Sequence, residues 1–448
     1  MNRKQEDGKT EKKSKWKKRL LIIVLSLIIL FVGAVSLLIE FPGTVSKAIS
    51  IFDNVKDIEE VTEEPQVEEN QIDTNFINAV TVRDSVEEDV RSSDPLPEIN
   101  KNYTCETDTK AGKASSNLIY NGRRINIAII GIDARMGTVS NHADANNILS
   151  IMPDSGIIEI TAIPRDTWAN ARMADSTQNK LTIVLANRGM KAYLKEAARI
   201  ARLDQIPYYV EVSFSQVMGI LELFGYKDTK SALQVLRSRK ALGGDDYQRC
   251  YNQAQFIRQL MLNHFGKVTG PLGGILIHGG LSFVKTNLTN ALVRNIVDNL
   301  EQNGFGDTPK DVIIKVRPPV GIDFKVHNFT NQETFSELQH RIEAKNRHIE
   351  KDSLFDAHVS GKLWKAIHKA EADSSHKRYR GIINSLKNFY DQRAWIQVSD
   401  LDLRENIRNR ISSLMIYAYY KLKQPEKAEA VKSKIQAEKE MFEQMKQL

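Results

Sequence analysis

Residues 125–132, INIAIIGI, form a nearly unbroken apolar run with one polar side chain, Asn126. A strand with one wet face alternates apolar and polar residues, whereas a run without alternation must be covered on both faces. Such a strand needs helices above and below its sheet, and the flanking sequence offers them. Residues 148–152 and 156–163 read as two further strands around the turn Pro153-Asp154-Ser155-Gly156. Residues 208–214 (YYVEVSF) alternate as a strand, and 312–316 (VIIKV) form another. Helical spacing marks 190–203, 217–224, 247–265 and 290–303. Interleaved strands and helices predict an α/β domain over 121–330, a mixed central sheet flanked by helices. From 331 to 448 the pattern is helical and densely charged. Within it, 411–432 resembles one tetratricopeptide-type helical hairpin without a second copy, and a generic helical hairpin is the alternative.

Residues 20–39, LLIIVLSLIILFVGAVSLLI, carry no charge and are long enough to cross the roughly 30 Å hydrocarbon core of a bilayer. The 19 residues before them hold nine basic and three acidic side chains, six of the chain's net charge of +7. Everything after the tail therefore nets +1, so the basic balance belongs to a membrane-facing tail and gives no sign of nucleic acid. The expectation is a cytoplasmic tail at 1–19 and a single-pass signal anchor at 20–39. An acidic extracytoplasmic spacer follows at 40–120, with at most a short helix or two, and the main domain lies beyond the membrane. The apolar run is longer than the core of a cleaved signal peptide, and no small-residue cleavage pattern follows it. Two cysteines, Cys105 and Cys250, allow one disulfide at most and exclude a cysteine-ligated metal site.

The chemistry concentrates in LRSRKALGGDDYQR, residues 236–249, followed by Gln253. In an extended segment Arg237 and Arg239 leave on one face, and on a helix Arg249 and Gln253 share a face. Gly243-Gly244 permits a reversal between them. A strand-turn-helix unit would aim three guanidinium groups and one amide at one spot, a geometry that suits phosphate oxygens. A solvated basic loop is the alternative. Asp133 directly follows the buried strand, at the sheet edge where α/β proteins bind ligands, and Asp144 precedes the next apolar strand. Two carboxylates at neighbouring strand ends can hold one hard cation with water and phosphate oxygens. Pro164-Arg165-Asp166-Thr167 closes the third strand and adds another Arg and another carboxylate. Each aspartate alone also reads as a cap or turn residue.

Taken in order, IIGIDAR (129–135), ADANNILSIMP (143–153), ITAIPRDTW (160–168), Lys180-Leu181, YYVEVSF, the arginine segment with Gln253, and VKTNLT (284–289) resemble the LytR-CpsA-Psr family of cell-envelope enzymes. The resemblance spans 124–300. It implies a transferase that moves a glycopolymer-phosphate from a polyprenyl-pyrophosphate carrier to a cell-wall acceptor hydroxyl, such as peptidoglycan, with Mg²⁺ or Mn²⁺. By motif, Asp133 and Asp144 would hold the metal. Arg135, Arg165, Arg237, Arg239, Arg249 and Gln253 would grip the pyrophosphate, and Asp133, Arg165, Asp166 and Arg239 would carry catalysis. Ile220, Leu221, Leu223 and Phe224 are candidates for a lipid groove, or for ordinary core. The chain departs from the family pattern at His142 and Ala145, where Arg and Thr are usual, at Asn252 for Arg, and at Thr182 near an expected Asn. A polyprenyl-pyrophosphate hydrolase is an alternative reading. Another is a non-catalytic lipid-linked-glycan binder or scaffold that recruits a protein partner through the C-terminal helices.

Overall fold

The computed structural model describes residues 100–105, 118–134, 136–137, 141–238, 245–345 and 352–445. The expected tail and anchor, most of the spacer, Arg135, and the segment 239–244 with Arg239 lie outside the described residues. No described helix is long and apolar enough to cross a membrane.

A six-stranded mixed sheet organises the α/β part. In chain order its strands are β3 (Ile125–Ile132), β4 (Ala143–Met152), β5 (Ile157–Ala162), β6 (Tyr208–Val212), β7 (Lys285–Thr286) and β8 (Val312–Val316), in the spatial order β7-β6-β3-β4-β5-β8. β4 runs antiparallel to β3 and β5, while β6 is parallel to β3 and β8 parallel to β5. The carboxyl ends of β3, β5, β6 and β8 therefore gather at one edge, beside the start of β4. A separate antiparallel pair, β1 (Asn100–Cys105) and β2 (Leu118–Gly122), precedes the sheet; β1 lies inside the stretch read from sequence as spacer and β2 crosses its end at 120.

Both faces are covered, as the INIAIIGI run requires. Ala128, Ile130 and Ile132 pack under α1 (Leu181–Ala201), a helix interrupted by Gly189 at φ 74°. Ile125, Ile127, Ile158 and Ile160 pack on the opposite face under α4 (Asp246–Thr269) and α6 (Asn290–Gln302). Truncating a fully buried residue such as Ile130 or Ile160 to Ala costs about 2–5 kcal/mol in cores of this kind. Cys250 is buried in this second layer as a free thiol donating to the Tyr247 carbonyl at 3.1 Å, so the allowance of one disulfide is not taken up.

Two local readings are corrected. The strand expected over 208–214 stops at Val212, because Ser213 caps α2 (Phe214–Leu223). Its hydroxyl accepts from the Gln216 amide, while the Gln216 side chain accepts from the Ser213 amide. This reciprocal box satisfies two orphan donors and outweighs the alternation of the sequence. The extended segment expected around Arg237 is instead the end of α3 (Thr229–Arg237), capped by Asp228. Ala232, Val235 and Leu236 are buried at helical spacing. α5 (Gly273–Phe283) and α7 (Gln332–Lys345) complete this layer.

Beyond it, α8 (Asp352–Ser375), α9 (Tyr379–Asp391), α10 (Leu401–Lys421) and α11 (Pro425–Met445) pack around Trp395, Leu363, Ile382 and Ile411. The same core takes in Met218 of α2 and Phe283 of α5, so the helical region shares its interior with the α/β part.

Candidate active site

The gathered strand ends bring three arginines and three aspartates into one connected cluster. Asp133 follows β3, and its amide donates to the His142 carbonyl at 2.9 Å, which closes the neck of the β3–β4 connection and sets Asp133 beside Asp144. The start of β4 is held from below by Tyr193 of α1, whose buried hydroxyl donates to Asn146 Oδ1 at 2.6 Å. Asn146 also accepts the Ile163 amide at its carbonyl, tying the exit of β5 to β4. Arg165 emerges from that exit. Its Nη1 donates to Asp144 Oδ1 at 2.7 Å, and its amide donates to Asp246 Oδ2 at 3.1 Å. Asp246, in the first turn of α4, pairs through Oδ1 with buried Arg249 at 2.6 Å, and Arg249 Nη2 reaches the Asp144 carbonyl at 3.4 Å. Arg237 closes the group. Its Nη2 lies 3.6 Å from Asp133 Oδ1, and its guanidinium lies 3.9 Å over the Phe214 ring.

The charges feel one another. Burial pulls the Arg237 guanidinium below its ordinary pKa, the fields of Asp133 and Asp144 oppose that, and Arg165 reinforces it. For Arg165, burial pulls the same way, but the hydrogen bond it donates to Asp144 and the fields of Asp144, Asp166 and Asp246 win and raise the value. Both guanidiniums stay charged at any physiological pH. One buried donor is suited to an anion. Arg165 Nε is buried without a hydrogen-bond acceptor, Asp166 Oδ1 standing 3.9 Å away. Gln253 donates to the Leu236 carbonyl at 3.3 Å, while its buried Oε1 accepts nothing. Buried donors without acceptors are rare in folded proteins and mark strain, function or an absent ligand.

Other expected residues fall elsewhere. Asp166 is exposed, with Lys180 Nζ 3.5 Å from its carboxylate, and His142 is exposed at the rim. Asn252 turns into the core and accepts from Gln248 at 2.8 Å. The candidate groove residues pack against other parts of the fold. Leu221 is wholly buried against α3, α4 and Phe329, Ile220 and Leu223 pack on the C-terminal helical core, and Phe224 stacks on His264 at 4.4 Å. The C-terminal helices fill the space that apolar wall would have faced.

Sequence reasoning missed Asp246, because Asp245-Asp246 before a helix reads as a cap and a dipole partner, and Asp245 does cap α4. It also missed a corner at Asp391-Gln392-Arg393. Gln392 Oε1 accepts the Gly137 amide at 2.9 Å, four residues past Asp133, and the Gln392 carbonyl accepts the Ser213 hydroxyl at 2.9 Å. A Cβ on Gly137 would collide with the Phe389 ring, and its φ is 72°. Gln216 donates to the Asp391 carbonyl at 3.2 Å. One turn of the C-terminal region thus braces both the Asp133 loop and the helix whose Phe214 carries Arg237.

Asp133 and Asp144 offer hard carboxylate oxygens of the kind that suits Mg²⁺ or Mn²⁺. Among the described residues no group of three or more His, Cys, Asp or Glu side chains is placed to hold a metal. The pair fits such an ion only when ligand oxygens and water complete its shell.

Residues 90–225 match the LytR_cpsA_psr family model; the arginine segment lies beyond the matched span. No curated protein matches the chain. Similar solved structures include TagV of Bacillus subtilis, at 16% identity over 51% of this chain and 98% of that one with a TM-score of 0.35. TagT bound to LIIa-WTA matches at 19% identity over 49% and 90%, with a TM-score of 0.33. YwtF (TagT) with bound octaprenyl pyrophosphate lipid matches at 17% over 49% and 89%, with a TM-score of 0.30. Over residues 90–225, the span that supplies Asp133, Asp144 and Arg165, the chain is thus similar to the LytR-CpsA-Psr family.

Proposed function

We propose that the protein is a membrane-anchored transferase that moves a glycopolymer-phosphate from a polyprenyl-pyrophosphate carrier to a hydroxyl of the cell wall. Members of the family transfer glycopolymers. The observation that carries the reading in this chain is the single cluster joining Arg165, Arg237 and Arg249 to Asp133, Asp144 and Asp246. A diphosphate entering it would take up the free Arg165 Nε and loosen the arginines from the aspartates, since guanidinium forks bind phosphate oxygens as they bind carboxylates. Freed carboxylates at 133 and 144 would then hold Mg²⁺ or Mn²⁺ against the diphosphate. When bound, that ion supplies positive charge to the bridging and leaving oxygens.

In the transfer, the acceptor oxygen forms a bond to the sugar-linked phosphorus, the bond from that phosphorus to the bridging oxygen breaks, and polyprenyl phosphate leaves. The arginines hold the phosphorus in line and neutralise charge gathering on its oxygens, which is most of the work in reactions of this class. Asp166, exposed at the rim, would take the acceptor's proton, with Lys180 orienting it. The apolar run at 20–39 would anchor the chain with its basic tail in the cytoplasm, so that the site meets lipid-linked substrate outside.

The test is incubation of the full chain in detergent with polyprenyl pyrophosphate bearing a glycan, a peptidoglycan acceptor and Mg²⁺. Transfer with release of polyprenyl phosphate is expected, and Arg165→Ala should reduce it about 100- to 1,000-fold. Release without transfer would make the protein a hydrolase. Binding without turnover would make it a carrier or scaffold.

A further inference from the structure

Trp168 is a large apolar side chain left in the open at 61% exposure, yet its position is fixed. Its backbone bridges to Lys180, and its carbonyl accepts from Arg199 Nη2 at 3.2 Å. The Ala169 amide donates to Asn179 at 3.0 Å, and Ala169 and Ala171 are fully buried. The Arg199 guanidinium lies 5.3 Å from the ring centroid. The indole is therefore a rigid surface with the Arg199 guanidinium over one face and most of its area, the other face included, in solvent. It stands three residues past Arg165 and two past Asp166, whose carboxylate meets the same Lys180 to which Trp168 bridges. That places it on the rim of the arginine cluster.

Exposure of a tryptophan forgoes the apolar burial that a ring of its size would otherwise gain. Among the described residues the ring's neighbours include the charged side chain of Arg199 and the Asp166–Lys180 pair, a setting that suits a ligand with polar edges better than a prenyl tail or a broad apolar contact. A pyranose matches it. One face of a sugar ring presents C–H groups that stack on an indole, and its edge presents hydroxyls. Arg199 meets the ring as a donor, and the Asp166–Lys180 pair, an acceptor and a donor, lies across the backbone bridge from Trp168.

We propose that Trp168 is the floor of a sugar subsite next to the diphosphate cluster, taking the pyranose attached to the diphosphate. The inference rests on the reading of the cluster as a diphosphate site. Sugar of the acceptor shares the same chemistry, so the probes separate the two sources. Affinities would be measured for the full-length protein in detergent, as wild type, Trp168→Ala and Trp168→Phe. The probes are undecaprenyl pyrophosphate, the same lipid bearing one N-acetylglucosamine, and the free peptidoglycan disaccharide.

The expected result is that Trp168→Ala weakens the sugar-bearing lipid about fivefold to tenfold, leaves the sugar-free lipid unchanged, and is largely rescued by Phe. A loss confined to the disaccharide supports the platform and assigns it to the acceptor. Equal affinities of wild type and Trp168→Ala for every probe overturn it. So does an equal loss for all three, which would mean a structural role, or failure of the wild type to bind either sugar-bearing probe. Failure of the wild type to bind the sugar-free lipid would instead sink the diphosphate reading, while the disaccharide still decides Trp168.

Discussion

Arg165 meets the other members of the site at both its ends. Its guanidinium binds Asp144 and its amide binds Asp246, so the side chain and backbone of one residue link β4 to α4. Its placement was legible, because a charged residue just past a buried strand of an α/β sheet lies at the ligand edge. Asp133 was legible on the same ground, and Asp144 as the charged residue ahead of the next apolar strand. Asp246 was not, since its partners come from 81 residues earlier in the chain as well as from the next helical turn. Asp246→Asn removes the charge facing buried Arg249 and should lower stability by about 1–3 kcal/mol. If the cluster is an anion site, inorganic pyrophosphate should close much of the resulting gap in Tm, because it offers Arg249 a replacement partner. A gap that is unchanged by pyrophosphate in thermal denaturation would count against that site.

Elements carry the next level of control. α2 starts at Phe214 rather than three residues later because Ser213 and Gln216 cap each other, and that early start puts the Phe214 ring beneath Arg237. The sequence alternation of YYVEVSF hid this, as a strand pattern and a cap compete for the same residues. Ser213→Ala should cost about 1 kcal/mol from the lost cap, read as a lower midpoint in urea. The β3–β4 connection is held from the other side by Gln392 Oε1 on the Gly137 amide. Gln392→Ala should lower kcat/KM several-fold with a small loss of stability. Gln392→Glu, which keeps an acceptor at the same reach, should restore most of the activity. Equal damage by both variants would indicate that the hydrogen bond does not position the loop.

At the scale of the molecule, the strand-and-helix order and the covered faces of the sheet could be read from apolar runs, whereas the union of the C-terminal helices with the α/β part could not. That union is made by side chains far apart in sequence. Met218 and Phe283 enter the helical core, and Arg404 pairs with Glu222 at 2.8 Å. Arg393 pairs with Glu438 in the interior at 2.9 Å, with Trp395 donating to the same carboxylate at 3.0 Å. Glu438→Ala strands a buried guanidinium and should cost about 3–5 kcal/mol. Because the core is shared, the loss should appear as one unfolding transition that also takes down the sheet, followed by circular dichroism and tryptophan fluorescence together. Two separated transitions would mean that the helical region folds independently of the site.

The central claim is that Arg165, Arg237 and Arg249 converge because a diphosphate binds among them. The most direct measurement is a crystal structure of the protein soaked with a short-chain prenyl diphosphate and Mg²⁺. The account predicts phosphate oxygens within hydrogen-bond distance of Arg165 Nε and of the Arg237 and Arg249 guanidiniums, with the metal between Asp133 and Asp144. Diphosphate density elsewhere on the molecule, with the Arg165–Asp144 and Arg237–Asp133 pairs still closed, would contradict it.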